Sequence, residues 1–422
     1  MESIMREPES GEVTESELRE MLFSVFEQLG PRRKVIAVPP DITRLHSRAG
    51  RITEAAYEYY GSALTDVLPA LGTHVPLSEE ERRHMFPNVP PELFRTHNWR
   101  SDVKTLGTVP GEVVSDITGG LADFSWPAEI NRMLTDNGHD LILSIGQVVP
   151  HEVIGMANYN KNIFVGTGGY DCINKSHYIS GLYGIERILG RADNPVRRLM
   201  NYAEQRFAAD LPILYIMTVI GTRPTGETYI RGVFIGDTPD CFEQAARCSR
   251  ETNVTLLERP QAKIVAYLDP EEFKTTWLGN KAIYRTRLAL AEGGELVILA
   301  PGLKQFGEDD EIDPLIRRYG YRGRETVLGA ADSSPELQNS LGTIAHLMQG
   351  SSEGRFTIRY CPGRLSREEI ESVGYEYGEL DSMLERYNPE HLTPGHNTLA
   401  DGEEIYFVPN PALGLWAERS RF

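Results

Sequence analysis

A chain of 422 residues is too long for one ordinary hydrophobic core, so its length predicts two or three domains. Hydrophobic residues make up 40% and charged residues 25%, which is typical of a globular protein with enough apolar material for such cores. The formal net charge of -18, with no compensating basic stretch, argues against a protein that binds nucleic acid.

The four cysteines include no CxxC pair, which excludes a disulfide scaffold and favours a reducing compartment. The acidic, polar N-terminus lacks the pattern of a signal peptide. No run of about 18 apolar residues is present, so no transmembrane helix is expected. We therefore predict a cytoplasmic protein without a membrane partner.

The predicted elements of the N-terminal part alternate between helices and short apolar strands, which is typical of an α/β domain. In chain order they are a helix over 16–30, a strand over 34–39, a helix over 53–71, a helix capped by Ser78, a strand over 140–150 and a strand pair over 211–220 and 228–237. Ligands of open α/β sheets gather at the carboxyl ends of strands. Asp41 and His151 are predicted to lie just past two such ends.

The C-terminal part predicts a second α/β unit. Before it, a helix over 241–253 and a strand over 262–268 close the N-terminal part, and a long helix over 269–294 follows, ended by Gly293 and Gly294. The segment "ELVILAPG" opens the second unit, and strands over 356–361 and 404–410 lie within or after it. The sequence thus predicts two α/β domains joined by a long helix. We place the N-terminal domain at 1–268 and the C-terminal domain, beginning with the connecting helix, at 269–403. The tail from about 404 to 422 can pack back on the N-terminal domain.

Chemically capable side chains occur at four places in the chain. They are Asp41, Thr43 and Arg44 in "DITR", His74 in "GTH", His151, Lys161 and His177 in the segment 151–177, and Lys281 in the predicted long helix. Each also has a purely structural interpretation. A loop arginine is often a surface charge, His74 could cap a helix, and a helical lysine is usually solvated.

Together these residue types indicate chemistry on an anionic substrate. Arginine presents a planar fork that matches a carboxylate, and a neutral histidine can take a hydroxyl proton near neutral pH. The set alone leaves a racemase, a dehydrogenase and a hydrolase open. "HEVIG" lacks the second histidine of HExxH, so a zinc hydrolase is a weakly supported alternative, and "GTGG" is too short for a dinucleotide fingerprint.

The spaced motifs, taken in order, resemble the nickel-pincer-nucleotide-dependent lactate racemase family. "DITR" looks like its D-x-T-R segment, "LGTH" its G-T-H motif, "THNWRSDVKTLGTVPG" the stretch after that motif, and "NKA" its helix lysine segment. His151, Lys161 and His177 are similar to its H…K…H series, with spacings of ten and twenty-six residues from His151.

The resemblance implies a cofactor, pyridinium-3-thioamide-5-thiocarboxylic acid mononucleotide with nickel, joined to Lys161 through a thioamide. It makes the N-terminal domain the cofactor-binding one, with the active site in the cleft between the domains. His177 would be the metal ligand, and further cofactor-binding residues would be Asp41, Thr43, Gly155 and Asn158. His74 and His151 would transfer protons, while Arg44 and Lys281 would hold the carboxylate and hydroxyl of the substrate.

The activity that the resemblance implies is inversion of C2 of a 2-hydroxy acid, by reversible hydride transfer to the nickel-pincer nucleotide through a 2-keto acid. Cofactor-synthesis enzymes would be partners in maturation. Two departures, "NYNKN" around Lys161 and Trp277-Leu278 before the helix lysine, point to a substrate other than lactate. The alternatives are an aldonic acid 2-epimerase of the same family, a non-catalytic relative that binds a nucleotide or organic acid, and a zinc hydrolase.

Overall fold

The structure is a computed structural model that describes residues 4–7, 11–223, 225–412 and 414–422. The chain forms two compact units, and both contain α/β structure. The first unit comprises Met1–Ile179 and Gly190–Thr252, and the second comprises Ser180–Leu189 and Asn253–Phe422.

The first unit is built on a six-stranded sheet of order β1-β10-β9-β6-β2-β3. The strands of this unit are β1 (Ile4–Arg6), β2 (Val35–Val38), β3 (Leu64–Val67), β4 (Val103–Val109), β5 (Trp126–Asn131), β6 (Leu141–Gln147), β7 (Pro150–His151), β8 (Gly155–Met156), β9 (Ile213–Thr222) and β10 (Thr228–Gly236). Strands β9, β6, β2 and β3 are parallel, whereas β10 and β1 run antiparallel to their neighbours. The predicted strands over 34–39, 140–150, 211–220 and 228–237 are confirmed.

Eight α-helices begin in the described part of the first unit. They are α1 (Glu15–Leu29), α2 (Ala49–Tyr60), α3 (Glu79–Met85), α4 (Gly111–Thr118), α5 (Met133–Asp136), α6 (Tyr170–Tyr183), α7 (Pro195–Phe207) and α8 (Pro239–Asn253). Ser78 caps α3 in a reciprocal capping box with Glu81, as the sequence predicts. The apolar faces of α1 and α2 pack on the sheet, where Phe26 lies among the fully buried side chains of this core.

The predicted helix over 53–71 is wrong in its second half. Gly61 has a φ of 52° and ends α2, because this conformation is open to glycine and disfavours continuation of the helix. The residues that follow form β3, which pairs in parallel with β2. The buried Leu64 and Val67 therefore belong to the sheet.

The second unit contains a six-stranded sheet of order β15-β14-β13-β12-β17-β16, in which only the β16–β17 pair is antiparallel. The strands of the second unit are β11 (Val254–Leu257), β12 (Gln261–Tyr267), β13 (Leu290–Ala300), β14 (Phe356–Pro362), β15 (Glu376–Tyr377), β16 (Gly395–Thr398), β17 (Glu404–Val408) and β18 (Leu415–Glu418). Its helices are α9 (Thr276–Gly279), α10 (Lys281–Thr286), α11 (Ile312–Tyr319), α12 (Arg324–Asp332), α13 (Pro335–Gln338), α14 (Leu341–Gln349), α15 (Arg367–Ser372) and α16 (Leu380–Arg386).

The predicted long helix over 269–294 is wrong. The two short helices α9 and α10 cover its middle, and its last residues open the central strand β13. Gly293, with a φ of 72°, and Gly294 lie where the register between β12 and β13 shifts, so they form a bulge and not a helix end. The buried run from Leu296 to Ala300 fits a parallel strand that is covered on both faces.

The boundary between the units also differs from the predicted one at 268/269. Strands β11 and β12 lie within 253–268, yet both belong to the sheets of the second unit. The C-terminal tail stays with the second unit as well, because β17 pairs with β12 and β18 pairs with β11. The segment Ser180–Leu189, which was assigned to the N-terminal domain, also belongs to the second unit.

Candidate functional site

Three of the predicted site segments follow the carboxyl ends of neighbouring parallel strands in the first unit. Asp41 comes three residues after β2 ends, His74 lies in the loop after β3, and His151 lies in β7, just after β6. Strands β3, β2 and β6 are adjacent in the sheet. The prediction that Asp41 and His151 lie just past strand ends is confirmed, and the loop carrying His74 starts from the same edge.

The segment that carries Lys161 is tied to this edge by hydrogen bonds. A π-helical turn, Asn162–Gly166, follows Lys161 directly. The Asn162 side chain donates to the Val38 carbonyl at 3.0 Å and to the Ser144 hydroxyl at 3.1 Å, which joins the turn to β2 and β6. The amide of Gly72 donates to the Gly166 carbonyl at 2.8 Å and so joins the turn to the His74 loop. Turns of this kind are frequent at functional sites.

Asp41 and His74 form a close pair in which Asp41 is buried and His74 is partly exposed. The Nδ1 of His74 lies 2.5 Å from Asp41 Oδ2, with the imidazole side chain 41% exposed and Asp41 buried. Burial alone would raise the pKa of Asp41, but the nearby His74 and hydrogen bonds from His74 and Thr43 outweigh it and hold this pKa well below its usual range. The ionised carboxylate accepts the Nδ1 proton, so neutral His74 carries its lone pair on Nε2, as a general base requires.

The "DITR" loop is ordered around the same carboxylate. The Thr43 amide and hydroxyl donate to Asp41 Oδ1 at 3.0 and 2.5 Å. Arg44 breaks the 3₁₀ helix Ile42–Ser47 with a φ of -119° and a ψ of 30°. Its partly buried guanidinium donates to the Thr43 carbonyl at 3.2 Å. Asp41 therefore shapes the loop that presents Arg44.

His151 is buried and held by backbone in a different way. The Val153 amide donates to His151 Nδ1 at 3.1 Å, so the neutral imidazole carries its proton on Nε2 and offers a donor there. The small β7–β8 hairpin pairs His151 with Gly155, whose φ of 76° lies in the left-handed region and suits glycine. The two imidazoles thus present opposite hydrogen-bonding characters, a base at His74 and a donor at His151.

Lys161 is partly buried, and its amine has an unusual acidity. Burial lowers the pKa of Lys161, nearby Arg44 lowers it further, and the acidic side chains of Glu152 and Asp41 only partly oppose this, with a result of about 8. Near neutral pH an appreciable fraction of the amine is therefore uncharged. An uncharged amine is the nucleophilic form that covalent attachment requires.

The backbone before Lys161 is strained. Asn158 and Tyr159 have φ values of 66° and 57°, and each non-glycine residue in this region costs roughly 1–3 kcal/mol. The Nδ2 of Asn158 is buried and has no hydrogen-bond partner among the residues that the structure describes. A buried donor of this kind is costly unless a ligand satisfies it, so Asn158 suits an incoming acceptor.

His177 lies in α6 with a defined tautomer. Its Nδ1 donates to the Ile173 carbonyl at 2.7 Å, which leaves Nε2 as the ring atom with the lone pair. Burial lowers the pKa of His177, and Lys161 lowers it further against the opposing hydrogen bond to Ile173. Because the charge of Lys161 affects the pKa of His177, these two side chains lie in one electrostatic environment. A neutral imidazole with its second nitrogen fixed by a carbonyl suits a metal ligand.

We expect the amine of Lys161 to react with a small acylating reagent from lower pH than the other lysines. Its reactivity should reach half of its maximum near pH 8. Since the folded pKa is lowered, the unfolded chain binds more protons above this value, so Lys161 makes stability rise with pH from about 8 towards the usual lysine pKa. Competitive acetylation followed by peptide mass spectrometry measures the profile, with the half-exposed Lys104 as reference. Identical profiles for both lysines would contradict the prediction.

Arg197, in α7, is a site component that the sequence analysis missed. It is 2% exposed and donates to the Met156 carbonyl at 2.6 Å and to the Asn158 carbonyl at 3.3 Å. It also donates to Asn160 Oδ1. Asn160, which belongs to the departure "NYNKN" around Lys161, is therefore a buried structural partner of Arg197. A separation of 37 residues leaves no local pattern that could reveal this contact.

The remaining predicted site residue, Lys281, belongs to the second unit. It is buried at the start of α10, and its amine lies 5.6 Å from the centre of the Phe273 ring. Trp277 packs on the His346 ring with a centroid separation of 4.3 Å. Asn280 accepts hydrogen bonds from the hydroxyls of Tyr360 at 2.8 Å and Tyr375 at 3.3 Å. The participation of Lys281 in the site stays a prediction.

Among the described residues, no three His, Cys, Asp or Glu side chains are grouped so that they could hold a metal ion by themselves. None of the described helices combines the length and apolar character needed to cross a bilayer. All four cysteines are buried free thiols.

One region of the chain matches a known protein family. Residues 21–183, less than half of the chain, match the lactate racemase N-terminal domain. This match relates the region to the lactate racemase family. The lactate racemase N-terminal domain contains Asp41, His74, His151, Lys161 and His177, whereas Arg197 and Lys281 follow it in the chain.

Solved structures share the fold along nearly the whole chain. A crystal structure of a protein from Thermotoga maritima matches with a TM-score of 0.84 and 22% identity, over 99% of this chain and 100% of that one. The lactate racemase apoprotein from Thermoanaerobacterium thermosaccharolyticum matches with a TM-score of 0.69 and 17% identity, over 99% of this chain and 95% of that one. No curated protein matches the chain.

Proposed function

We propose that the protein is a racemase or epimerase that inverts C2 of a 2-hydroxy carboxylic acid, with a nickel-pincer nucleotide attached to Lys161. The match of residues 21–183 to the lactate racemase N-terminal domain supports a racemase or epimerase type of activity in general. The observation that carries the finer proposal is the Lys161 amine, whose pKa is lowered to about 8 at the carboxyl edge of the sheet. Surface lysines are normally protonated near neutral pH, so this amine is suited to a covalent linkage.

The residues present fit such a group. Lys161 supplies the amine, and His177 supplies one imidazole whose Nδ1 is already engaged by Ile173. The unsatisfied Nδ2 of Asn158 supplies a donor. A metal held mainly by an organic group needs only one protein ligand, and imidazole suits nickel. The described residues thus offer what an attached nickel complex needs.

When bound, the nucleotide supplies hydride chemistry at C2, which no side chain can provide. The chain's own residues bind the substrate and move protons. The Arg44 fork is suited to hold the substrate carboxylate, because the loop organised by Asp41 presents it beside His74.

His74 takes the hydroxyl proton at Nε2, and Asp41 fixes its tautomer and stabilises the imidazolium that forms. His151 donates a hydrogen bond from Nε2 to the substrate oxygen, since Val153 occupies its Nδ1. To serve as the base for the opposite enantiomer, His151 has to give up the hydrogen bond from Val153 and carry its proton on Nδ1, which leaves the lone pair on Nε2. The two histidines are therefore chemically unequal, although each handles one enantiomer.

The substrate proposed here is not lactate itself. Trp277 and Leu278 offer no side-chain amide beside Lys281, and the Trp277 ring packs on His346. Another 2-hydroxy acid, such as an aldonic acid, is proposed instead. Lys281 is proposed to assist Arg44 in holding the carboxylate and hydroxyl.

The proposal is tested by producing the chain together with the cofactor-synthesis enzymes. Intact-mass analysis should reveal a covalent adduct, and metal analysis should find nickel. The purified protein is then offered a panel of single enantiomers of 2-hydroxy acids, with chiral chromatography of the products. An adduct without turnover of any acid would identify a non-catalytic relative. Zinc without an adduct would identify a different chemistry.

Replacing His177 by alanine should lower nickel retention at least about tenfold, since even partners of metal ligands commonly contribute that much to affinity. Folding should be little affected, because alanine favours the helix in which His177 lies. Nickel per chain is measured after dialysis, with thermal unfolding as the check on folding. The exposed His84→Ala is the matched control. Equal nickel content in His177→Ala and the parent protein would show that His177 is no ligand.

A further inference from the structure

The segment Met156–Asn160 is held in a conformation that it would not adopt alone. Asn158 and Tyr159 both have positive φ values, although neither is glycine. Successive non-glycine residues in this region persist only where the surroundings hold them. Lys161 follows this turn directly, so whatever holds the turn also sets where the lysine side chain starts.

The buried guanidinium of Arg197 spans the turn. It donates to the carbonyls of Met156 and Asn158 on one side and to the side chain of Asn160 on the other. The ring of Phe242 lies 4.2 Å below it, which fixes the plane of the fork. A point charge such as lysine could not satisfy these acceptors with the same geometry.

A second set of contacts holds Asn160 through its side-chain amide nitrogen. Its Nδ2 donates to Asn201 Oδ1 at 2.6 Å and to Glu204 Oε2 at 3.0 Å. The other Glu204 oxygen accepts from the Tyr215 hydroxyl at 2.5 Å. Arg197, Asn201 and Glu204 all lie on α7, so side chains of one helix hold the residue before Lys161.

We propose that Arg197 is a positioning residue that acts through Asn160 and the Asn158–Tyr159 turn to fix the direction of the Lys161 amine. That this amine is the attachment point rests on the proposed function. The role assigned to Arg197 is independent of any metal and concerns where a reagent meets the amine. Arg197 itself contacts neither substrate nor cofactor in this assignment.

The test measures the rate at which trinitrobenzenesulfonate, a bulky anionic reagent, modifies Lys161 in the full-length protein without cofactor, relative to Lys104. In Arg197→Met we expect this relative rate to fall at least about tenfold, because a small misplacement of a reacting group is costly. Loss of the cation also removes an attraction for the anionic reagent. It removes one of the two arginines, Arg197 and Arg44, that lower the pKa of Lys161, while Glu152 and Asp41 still raise it. Arg198 lies next to Arg197 on the same helix and forms an exposed ion pair with Asp193. Arg198→Met removes this pair and should leave the rate unchanged.

The sign of the change separates positioning from general loosening, and Arg197→Lys, which keeps the positive charge, separates positioning from the loss of charge. A merely structural role predicts a faster reaction, since a loosened segment exposes the lysine. Arg197→Lys should recover only part of the rate. If Arg197→Met does not fold, Asn160→Ala retains the contacts of Arg197 to the Met156 and Asn158 carbonyls and should lower the rate in the same direction. An unchanged or faster reaction in the folded variant overturns the proposal.

A second readout distinguishes this inference from the proposed function. Parent and Arg197→Met proteins are produced with the cofactor-synthesis enzymes, and the fraction carrying the adduct is measured by intact mass. Adduct on the parent and little on the variant supports both proposals. If the parent carries no adduct, the proposed function fails, while the labelling rates still decide the role of Arg197.

Discussion

Lys161→Ala should carry no covalent adduct and should show no racemase or epimerase activity above background. The amine is the only group of this side chain that can form the linkage, and its lowered pKa keeps part of it in the reactive form. Lys161→Arg should behave in the same way, because arginine keeps a positive charge but cannot be acylated under these conditions. Intact-mass analysis of protein made with the cofactor-synthesis enzymes gives the result directly.

The control for this experiment is Lys175→Ala, in α6. Lys175 is also partly buried and donates to the Ser125 carbonyl at 2.9 Å, but it follows no strained turn. It should keep both the adduct and the activity. An unchanged adduct mass in Lys161→Ala would assign the attachment to another residue and remove the central element of the proposed function.

His74→Ala and His151→Ala should each lower the rate of interconversion at least about a hundredfold, since loss of a general acid or base typically costs 10²–10⁴-fold. Each variant should still convert one enantiomer to its 2-keto acid in a single turnover, and the two should prefer opposite enantiomers. Asp41→Asn should resemble His74→Ala, because an amide no longer holds the Nδ1–H tautomer of His74. Chiral chromatography follows both the full reaction and the single turnover.

The exposed His84→Ala again serves as control, with nickel content and thermal unfolding measured for every variant. Folded, nickel-loaded His74→Ala and His151→Ala proteins that interconvert enantiomers at the parent rate would remove both histidines from the mechanism. If only His151→Ala kept the parent rate, the hydrogen bond from Val153 would mark His151 as a structural residue.

The sequence predicted those parts of the fold in which local signals agree with the tertiary structure. The apolar run before Asp41 and the run before His151 both form parallel strands, and the polar residues after them reach the same edge of the sheet. Over 269–294 the sequence pattern predicted one long helix, but the last residues of this range form part of a strand. Residues from Leu290 onward join the central strand β13, which is fully buried from Leu296 to Ala300, and Gly293 supplies the bulge.

For the candidate site, the sequence supplied the reactive side chains but not the groups that orient them. Asp41 beside His74 and Arg197 around Asn160 are contacts between residues 33 and 37 positions apart. Neither pair follows a helical or strand period, so periodicity could not bring them together. The tautomers of His151 and His177 depend on single backbone groups, which become visible only once the chain is folded.

The short segment Ser180–Leu189 interrupts the first unit in sequence yet belongs to the second, and this limits how the chain can be recombined with proteins of the same fold. Within the second unit, Glu186 accepts from Arg287 at 2.9 Å and also from Arg355, while the Gln349 amide donates to Ser180 at 3.0 Å. A hybrid protein joined once, at residue 253, would place Arg287 of one parent against position 186 of the other. Exchange of substrate preference between relatives therefore calls for a graft of two pieces, in which residues 180–189 travel with the C-terminal part.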